Sequence, residues 1–183
     1  MRMFKLKTAL LVAALGTAAA ANASVNIHGE AGAEFTNLSA SFGANDPGLT
    51  FNGNWAHSDD DGDVAGLGMG FNVPLGPVLF TVGGKALYLN PKDGDEGYAV
   101  AVGGGAQVPL GDFITVFGDY YYSPDSLSSG VDDYMEANAG VRVRVIKSVS
   151  IEGGYRYMDM AGKNGHRDNK LADGAYAGVN FSF

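Results

Sequence analysis

The sequence predicts an all-β fold, a closed antiparallel up-and-down transmembrane β-barrel of ten strands. Three observations lead there. Apolar and polar residues alternate along most of the chain after residue 24, the connections between alternating segments are tight and long by turns, and aromatic residues gather beside the long connections. Period two is the periodicity of strands and sends successive side chains into opposite surroundings. A soluble sandwich also alternates, so the connections and the aromatics decide for a membrane.

Residues 1–23 stand apart as an expected signal peptide. Arg2, Lys5 and Lys7 make a basic start, residues 8–21 are small and apolar, and Ala21-Asn22-Ala23 is an A-x-A cleavage site. The apolar run is too short to span a bilayer as a helix. The mature chain is expected to begin at Ser24, leaving residues 24–183 as one barrel domain. Loss of the three basic residues takes the formal charge from −8 to −11, with 9 basic against 20 acidic residues remaining. So acidic a chain is not expected to bind nucleic acid. It has no cysteine, hence no disulfide or thiol chemistry. After the leader no apolar run approaches 18 residues, so strands must do any crossing.

The strands follow in order. Val25, Ile27, Ala31, Ala33 and Phe35 alternate with Asn26, His28, Glu30 and Glu34, and parity flips near Asn37 toward Leu38, giving a hairpin of 25–35 and 37–43. Further strands are expected near 49–57, 64–72, 78–89, 98–108, 113–122, 134–145, 149–160 and 175–183. Eight strands remain the alternative if residues 24–43 pack elsewhere. An even number places both termini on the periplasmic side. The tight connections are Val73-Pro74-Leu75-Gly76-Pro77, Val108-Pro109-Leu110-Gly111-Asp112 and Ile146-Lys147-Ser148. The long polar ones are 58–63, 90–97, 123–133 and 161–174, the pattern of short periplasmic turns and longer outer loops. Trp55, Tyr88, Tyr98, Tyr120, Tyr121, Tyr122, Tyr134, Tyr155 and Tyr157 lie beside the long loops and suit a membrane-interface girdle. Phe183 falls on the apolar face of the last strand, which resembles the terminal strand that the outer-membrane assembly machinery reads.

Candidate chemistry is sparse. Asp59, Asp61 and Asp63 have the alternating spacing of a calcium loop, but the glycine and the terminal glutamate fall at the wrong places, so a solvated outer loop is expected. Gly66-Leu67-Gly68-Met69-Gly70 and Gly103-Gly104-Gly105 open no helix and read as room inside a narrow barrel. His166 and Asp168 sit in the last long loop without a supporting strand, and His28 and His57 lack ligand-spaced partners. No catalytic residue, metal site or cofactor is expected, and no enzymatic activity. The strongest constellation is the polar strand face, which is expected to place Glu30, Glu34, Lys85, Asp119, Glu136, Arg142, Arg144, Glu152 and Arg156 in the lumen, with His28 available. Near balance of sign points to ion pairs filling the interior, whereas a strongly selective pore would carry one sign. The tight turn at 146–148 brings Arg142 and Arg144 toward Glu152.

Several segments resemble the YfaZ family of predicted outer-membrane proteins. They include Gly53-Asn54-Trp55-Ala56 with Ser58-Asp59-Asp60-Asp61-Gly62, Asn72-Val73-Pro74-Leu75-Gly76-Pro77, and Gly83-Gly84-Lys85-Ala86-Leu87-Tyr88. Asn90-Pro91-Lys92-Asp93-Gly94, Ser128-Ser129-Gly130, Gly154-Tyr155-Arg156-Tyr157 and Ala172-Asp173-Gly174 continue the resemblance over nearly the whole mature chain. It implies a porin-like barrel in the outer membrane of a Gram-negative envelope and brings no catalytic residues. The function expected is a narrow passive channel for ions or small polar solutes; the alternative is a non-conducting barrel whose acidic outer loops serve surface or envelope interaction. Expected partners are outer-membrane lipid, lipopolysaccharide and the assembly machinery.

Overall fold

A computed structural model describes residues 24–183; the expected leader and its cleavage site lie outside the described residues. Ten long strands form one sheet: β1 (Val25–Gly32), β2 (Thr36–Phe42), β3 (Gly48–Ser58), β4 (Gly62–Leu75), β5 (Val78–Pro91), β6 (Gly97–Leu110), β7 (Ile114–Ser123), β8 (Val131–Ile146), β9 (Val149–Gly162) and β10 (Asn169–Ser182). Each pairs antiparallel with the next, and β1 pairs with β10 from Asn26↔Ser182 to Gly32↔Tyr176, which closes the barrel. Closure removes the edges that an open sheet would present. A 3₁₀ turn (Asp125–Leu127) and a two-residue strand (Ser128–Ser129) occupy the β7–β8 connection, the latter pairing with the start of β6.

The tight turns join β4 to β5, β6 to β7 and β8 to β9 at the end where Val25 and Phe183 meet, so this is the periplasmic end. Gly76 and Gly111 take positive φ there (60° and 80°), which a side chain would resist. Strands of 14 to 16 residues exceed the roughly 9–11 needed to cross the bilayer and therefore stand out of it on the outer side. The outward face carries Leu49, Phe51, Leu67, Met69, Phe71, Val82, Val102, Val141, Val143, Ile151 and Phe181, all exposed large apolar side chains. So broad an apolar surface on a closed barrel fits lipid and not water.

Two expectations are corrected. The first hairpin turns earlier than parity suggested: Gly32 N–H donates to Phe35 O at 2.9 Å across a three-residue turn, and Ala31 pairs with Thr36. Phe35 therefore folds inward and is buried, while Glu34 sits exposed at the tip. Tyr121 and Tyr134 also leave the expected girdle, because they occupy inward positions of β7 and β8 and are buried. Tyr88, Tyr98, Tyr120 and Tyr155 remain outward and exposed.

Candidate functional site: a tiered bore

Strand alternation delivers every second side chain to the bore, and the bore is built in tiers. From the periplasmic mouth inward the first tier is neutral and polar. β1 to β3 contribute Asn26, Ser39, Ser41, Asn52 and Asn54, in register through Asn26↔Ser41↔Asn52 and Ser39↔Asn54. These side chains help enclose a cavity of about 230 Å³ that also meets Gln107, Asp119, Arg142 and Asn180. A vestibule of about 440 Å³ lies outside it, lined among others by Arg142, Arg144, Lys147 and Asp112. The β2–β3 connection (43–47) folds over part of this mouth. Asn72 Nδ2 donates to the carbonyls of Gly43 and Asp46 at 2.8 Å each, and Gln107 Nε2 reaches Ala44 O at 3.1 Å. Asp46 accepts from Ser24 N (2.9 Å) and Ser24 Oγ (2.7 Å), and these bonds hold its carboxyl below the ordinary range.

The second tier is charged and crosses the middle of the bore. Arg156 pairs with Glu30, Lys85 with Glu136, and Arg142 Nε with Glu152 at 2.9 Å. His28 Nε2 lies 2.9 Å from the other oxygen of Glu152, and Asn138 Nδ2 donates to Asp119 at 3.4 Å. Tyr134 donates to Glu136 at 2.7 Å, and Tyr176 OH is shared between Asn138 (3.0 Å) and Glu152 (3.2 Å). Cations also lie over rings: Lys85 over Tyr121 at 4.1 Å and Arg142 over Phe117 at 5.0 Å. Glycine makes room for these rings. A Cβ on Gly154 would come within 3.0 Å of the Tyr176 ring, and one on Gly140 within 2.9 Å of the Phe117 ring.

Of the nine lumen candidates, this tier gathers Glu30, Lys85, Asp119, Glu136, Arg142, Glu152 and Arg156. Glu34 is excluded by the early turn. Across the ladder Arg144 faces Ser150 while Arg142 faces Glu152, so Arg144 lines the vestibule and stands exposed at the mouth. His28 does have partners in space: Glu30 and Glu152 bring ligand atoms within 4.8 Å of one another around it. Both carboxylates are already matched by arginine, so the trio is an ion-pair node.

The third tier is apolar, in addition to the ion pairs expected of the strand face. Val64, Leu87, Leu89, Ala99, Ala101, Tyr134, Met158, Met160, Leu171 and Ala172 fill the outer half of the bore as one buried cluster with Phe35 and Tyr176. The signal lay in the same parity: Met158 and Met160 continue the inward face of Glu152 and Arg156, and Leu87 and Leu89 that of Lys85.

Above it the outer loops tie to one another. Arg167 donates to Asp61 (2.9 Å) and to Asp60 O (2.8 Å), and Asn169 and Asp93 exchange bonds at 2.8 and 3.1 Å. His166 sits 2.9 Å from Asp93 and holds that carboxyl below its ordinary range, while Asp168 accepts from Gly162 N–H at 2.9 Å. His166 and Asp168 thus have separate partners. Asp59 and Asp63 both approach His57, at 3.2 and 2.9 Å, so the acidic run is shared between histidine and arginine.

A closed ten-stranded barrel with a lipid-compatible exterior, a polar-to-apolar bore and both ends of the described chain on one rim defines a class, the outer-membrane β-barrel of a Gram-negative envelope. The chain belongs to the YfaZ family, whose model, described as "YfaZ precursor", matches residues 2–183. It is 56% identical over 181 residues to Outer membrane protein YfaZ of Escherichia coli (strain K12), spanning 99% of this chain and 100% of that protein. Among solved structures it is similar to the NanC porin (TM-score 0.46, 10% identity, 88% of this chain and 99% of that one). It is also similar to the anion-selective porin from Comamonas acidovorans (TM-score 0.43, 14% identity, 81% of this chain and 49% of that one).

Proposed function

We propose that this outer-membrane barrel does not conduct at rest and acts through its outer surface, an assembly of acidic loops set among lipopolysaccharide. One observation supports this reading. Each of the ten strands gives the bore at least one inward residue at 0 to 6% exposure: Glu30, Asn37, Ala56, Val64, Leu87, Ala101, Tyr121, Tyr134, Met158 and Ala172 in chain order. A solute crossing the bore must displace a dry apolar tier and part a paired one. The loop carboxylates Asp59, Asp60, Asp95 and Asp132 face outward, where divalent cations can bridge them to lipid phosphates. In this reading the assembly machinery inserts the chain, and His166 and Asp168, which hold separate partners, are given no catalytic role.

The second reading is a narrow passive channel. It is favoured by the water-accessible cavity and vestibule in the periplasmic half, and it requires the outer tier to move. Planar-bilayer recording of refolded protein separates the two. The wild type is expected to be silent, and a Tyr134→Ala, Met158→Ala double variant to give conductance steps. Removing such side chains costs about 2–5 kcal/mol each, so urea unfolding from vesicles must first show the variant folded. Steady steps from the wild type would overturn the closed reading in favour of the channel.

A further inference from the structure

We propose that the periplasmic half of the bore is a blind binding pocket for a small polyhydroxylated carboxylate, a sugar acid, entering from the periplasm. The cavity and the vestibule share Asn45, Gln107, Arg142 and Asn180 as lining, so the two volumes adjoin through the mouth. Together they fall in the few-hundred-Å³ range of ligand pockets. The charged tier is the floor. A ligand therefore enters and leaves by one door, which rests on the closed reading of the bore.

The lining specifies the chemistry. Asn26, Asn37 and Asn54 border the cavity at 5, 4 and 8% exposure. Asn26 Nδ2, Asn37 Oδ1 and Asn54 Oδ1 have no hydrogen-bond partner among the described residues. Two acceptors and a donor thus sit buried in side chains that form the wall of one cavity. Buried polar atoms of this kind are costly unless a partner arrives. A hydroxyl both donates and accepts, so a chain or ring of hydroxyls answers a wall of amides. Ser39 and Ser41 add further such groups.

The acid function is read from the mouth. Arg144 and Lys147 line the vestibule and have no acidic partner within 4.0 Å among the described residues. Arg142 uses Nε on Glu152, and its residue borders both volumes. Asp112 is the one carboxylate in the vestibule lining. A cationic door on a chain of formal charge −8 runs against the background, and guanidinium groups suit a carboxylate by geometry as well as charge. A ligand with a carboxylate at one end and hydroxyls at the other meets the arginines at the door and the amides within.

The test is calorimetric titration of refolded protein in detergent with D-glucuronate, D-glucose and lactate. Glucuronate is expected to bind saturably, glucose and lactate at least tenfold more weakly. Arg144→Ala, an exposed position that leaves the fold intact, should weaken glucuronate at least tenfold. Asn54→Leu should abolish binding. Folding of each variant is read from its heat-modifiable gel band, and Ser39→Leu on the same wall replaces Asn54→Leu if that band is missing. No saturable heat with glucuronate, glucose binding as well as glucuronate, or unchanged affinity in Arg144→Ala would each overturn the proposal. The readout is binding, so its failure is distinct from a failure of the closed-barrel reading, which rests on conductance.

Discussion

Glu152 joins Arg142 (2.9 Å), His28 (2.9 Å) and Tyr176 (3.2 Å) in the middle of the bore. A buried carboxylate with this many partners is costly to remove, because its arginine is left charged and alone. Glu152→Ala is expected to lose about 3–5 kcal/mol in urea unfolding from vesicles. Arg142→Ala in the same chain should restore part of that loss, whereas Arg144→Ala, at an exposed position facing Ser150, should leave it unchanged. Additive losses for the Arg142 pair would mean that the two groups do not interact. A second residue-scale expectation concerns Asp46, whose carboxyl is lowered first by the backbone N–H of Ser24 and then by its hydroxyl. With a folded value below the ordinary aspartate value of about 3.9, its contribution is complete above that pH and fades only as pH falls through the lowered value. The 43–47 connection should therefore hold unchanged at neutral and mildly acid pH. A carbon-detected NMR titration of Asp46 with a midpoint at or above the ordinary value would refute this. Cleavage after Ala23 would deepen the shift, since Ser24 N would become an ammonium group 2.9 Å from the carboxylate.

At the scale of the element, the β8–β9 hairpin shows what outward placement costs. Val141, Val143 and Ile151 are exposed on the apolar belt, and Val145 lies nearer the periplasmic rim. Val141→Arg should cost roughly 2–4 kcal/mol and Val145→Arg about 0–1, a depth dependence that equilibrium unfolding from bilayers reads directly. Equal costs would mean that this face does not cross a bilayer. This hairpin was legible in the sequence because alternation on both sides of a tight turn, from Met135 to Val145 and from Val149 to Tyr157, leaves one lipid face. The first hairpin was less legible. Alternation locates a strand but not the residue at which it ends, and Ala33-Glu34-Phe35 continues the pattern through the turn. Alternation alone therefore sends Glu34 to the lumen and Phe35 to the lipid face. Arg144 keeps the inward parity, but the ladder sets it opposite Ser150, so it lines the vestibule and leaves Glu152 to Arg142.

For the whole molecule, parity separates inside from outside but is silent about what the inside does at each height. The charged tier could be named because charges on a strand face are conspicuous. The apolar tier sits at inward positions that read, taken singly, as breaks in alternation, and only the closed barrel gathers Val64, Leu89, Tyr134 and Met158 into one cluster. The order of pairing carries a further consequence, for assembly in time. Nine ladders join strands that follow one another in the chain, and one joins β1 to β10, ending where Val25 and Phe183 exchange backbone bonds at 3.1 and 2.9 Å. Local ladders close small loops and form early, whereas that last ladder must gather residues about 150 apart and bears the larger entropic cost. The chain should thus pass through a curled, open ribbon with two unsatisfied edges, the species most exposed to aggregation. Phe183, 75% exposed beside the join, sits where the ribbon becomes a ring. Its deletion should slow the final zippering far more than the earlier hairpins. Pulse-labelled hydrogen exchange would show β1 and β10 protected late and the β8–β9 pair early, and simultaneous protection of all ten strands would contradict that sequence of events.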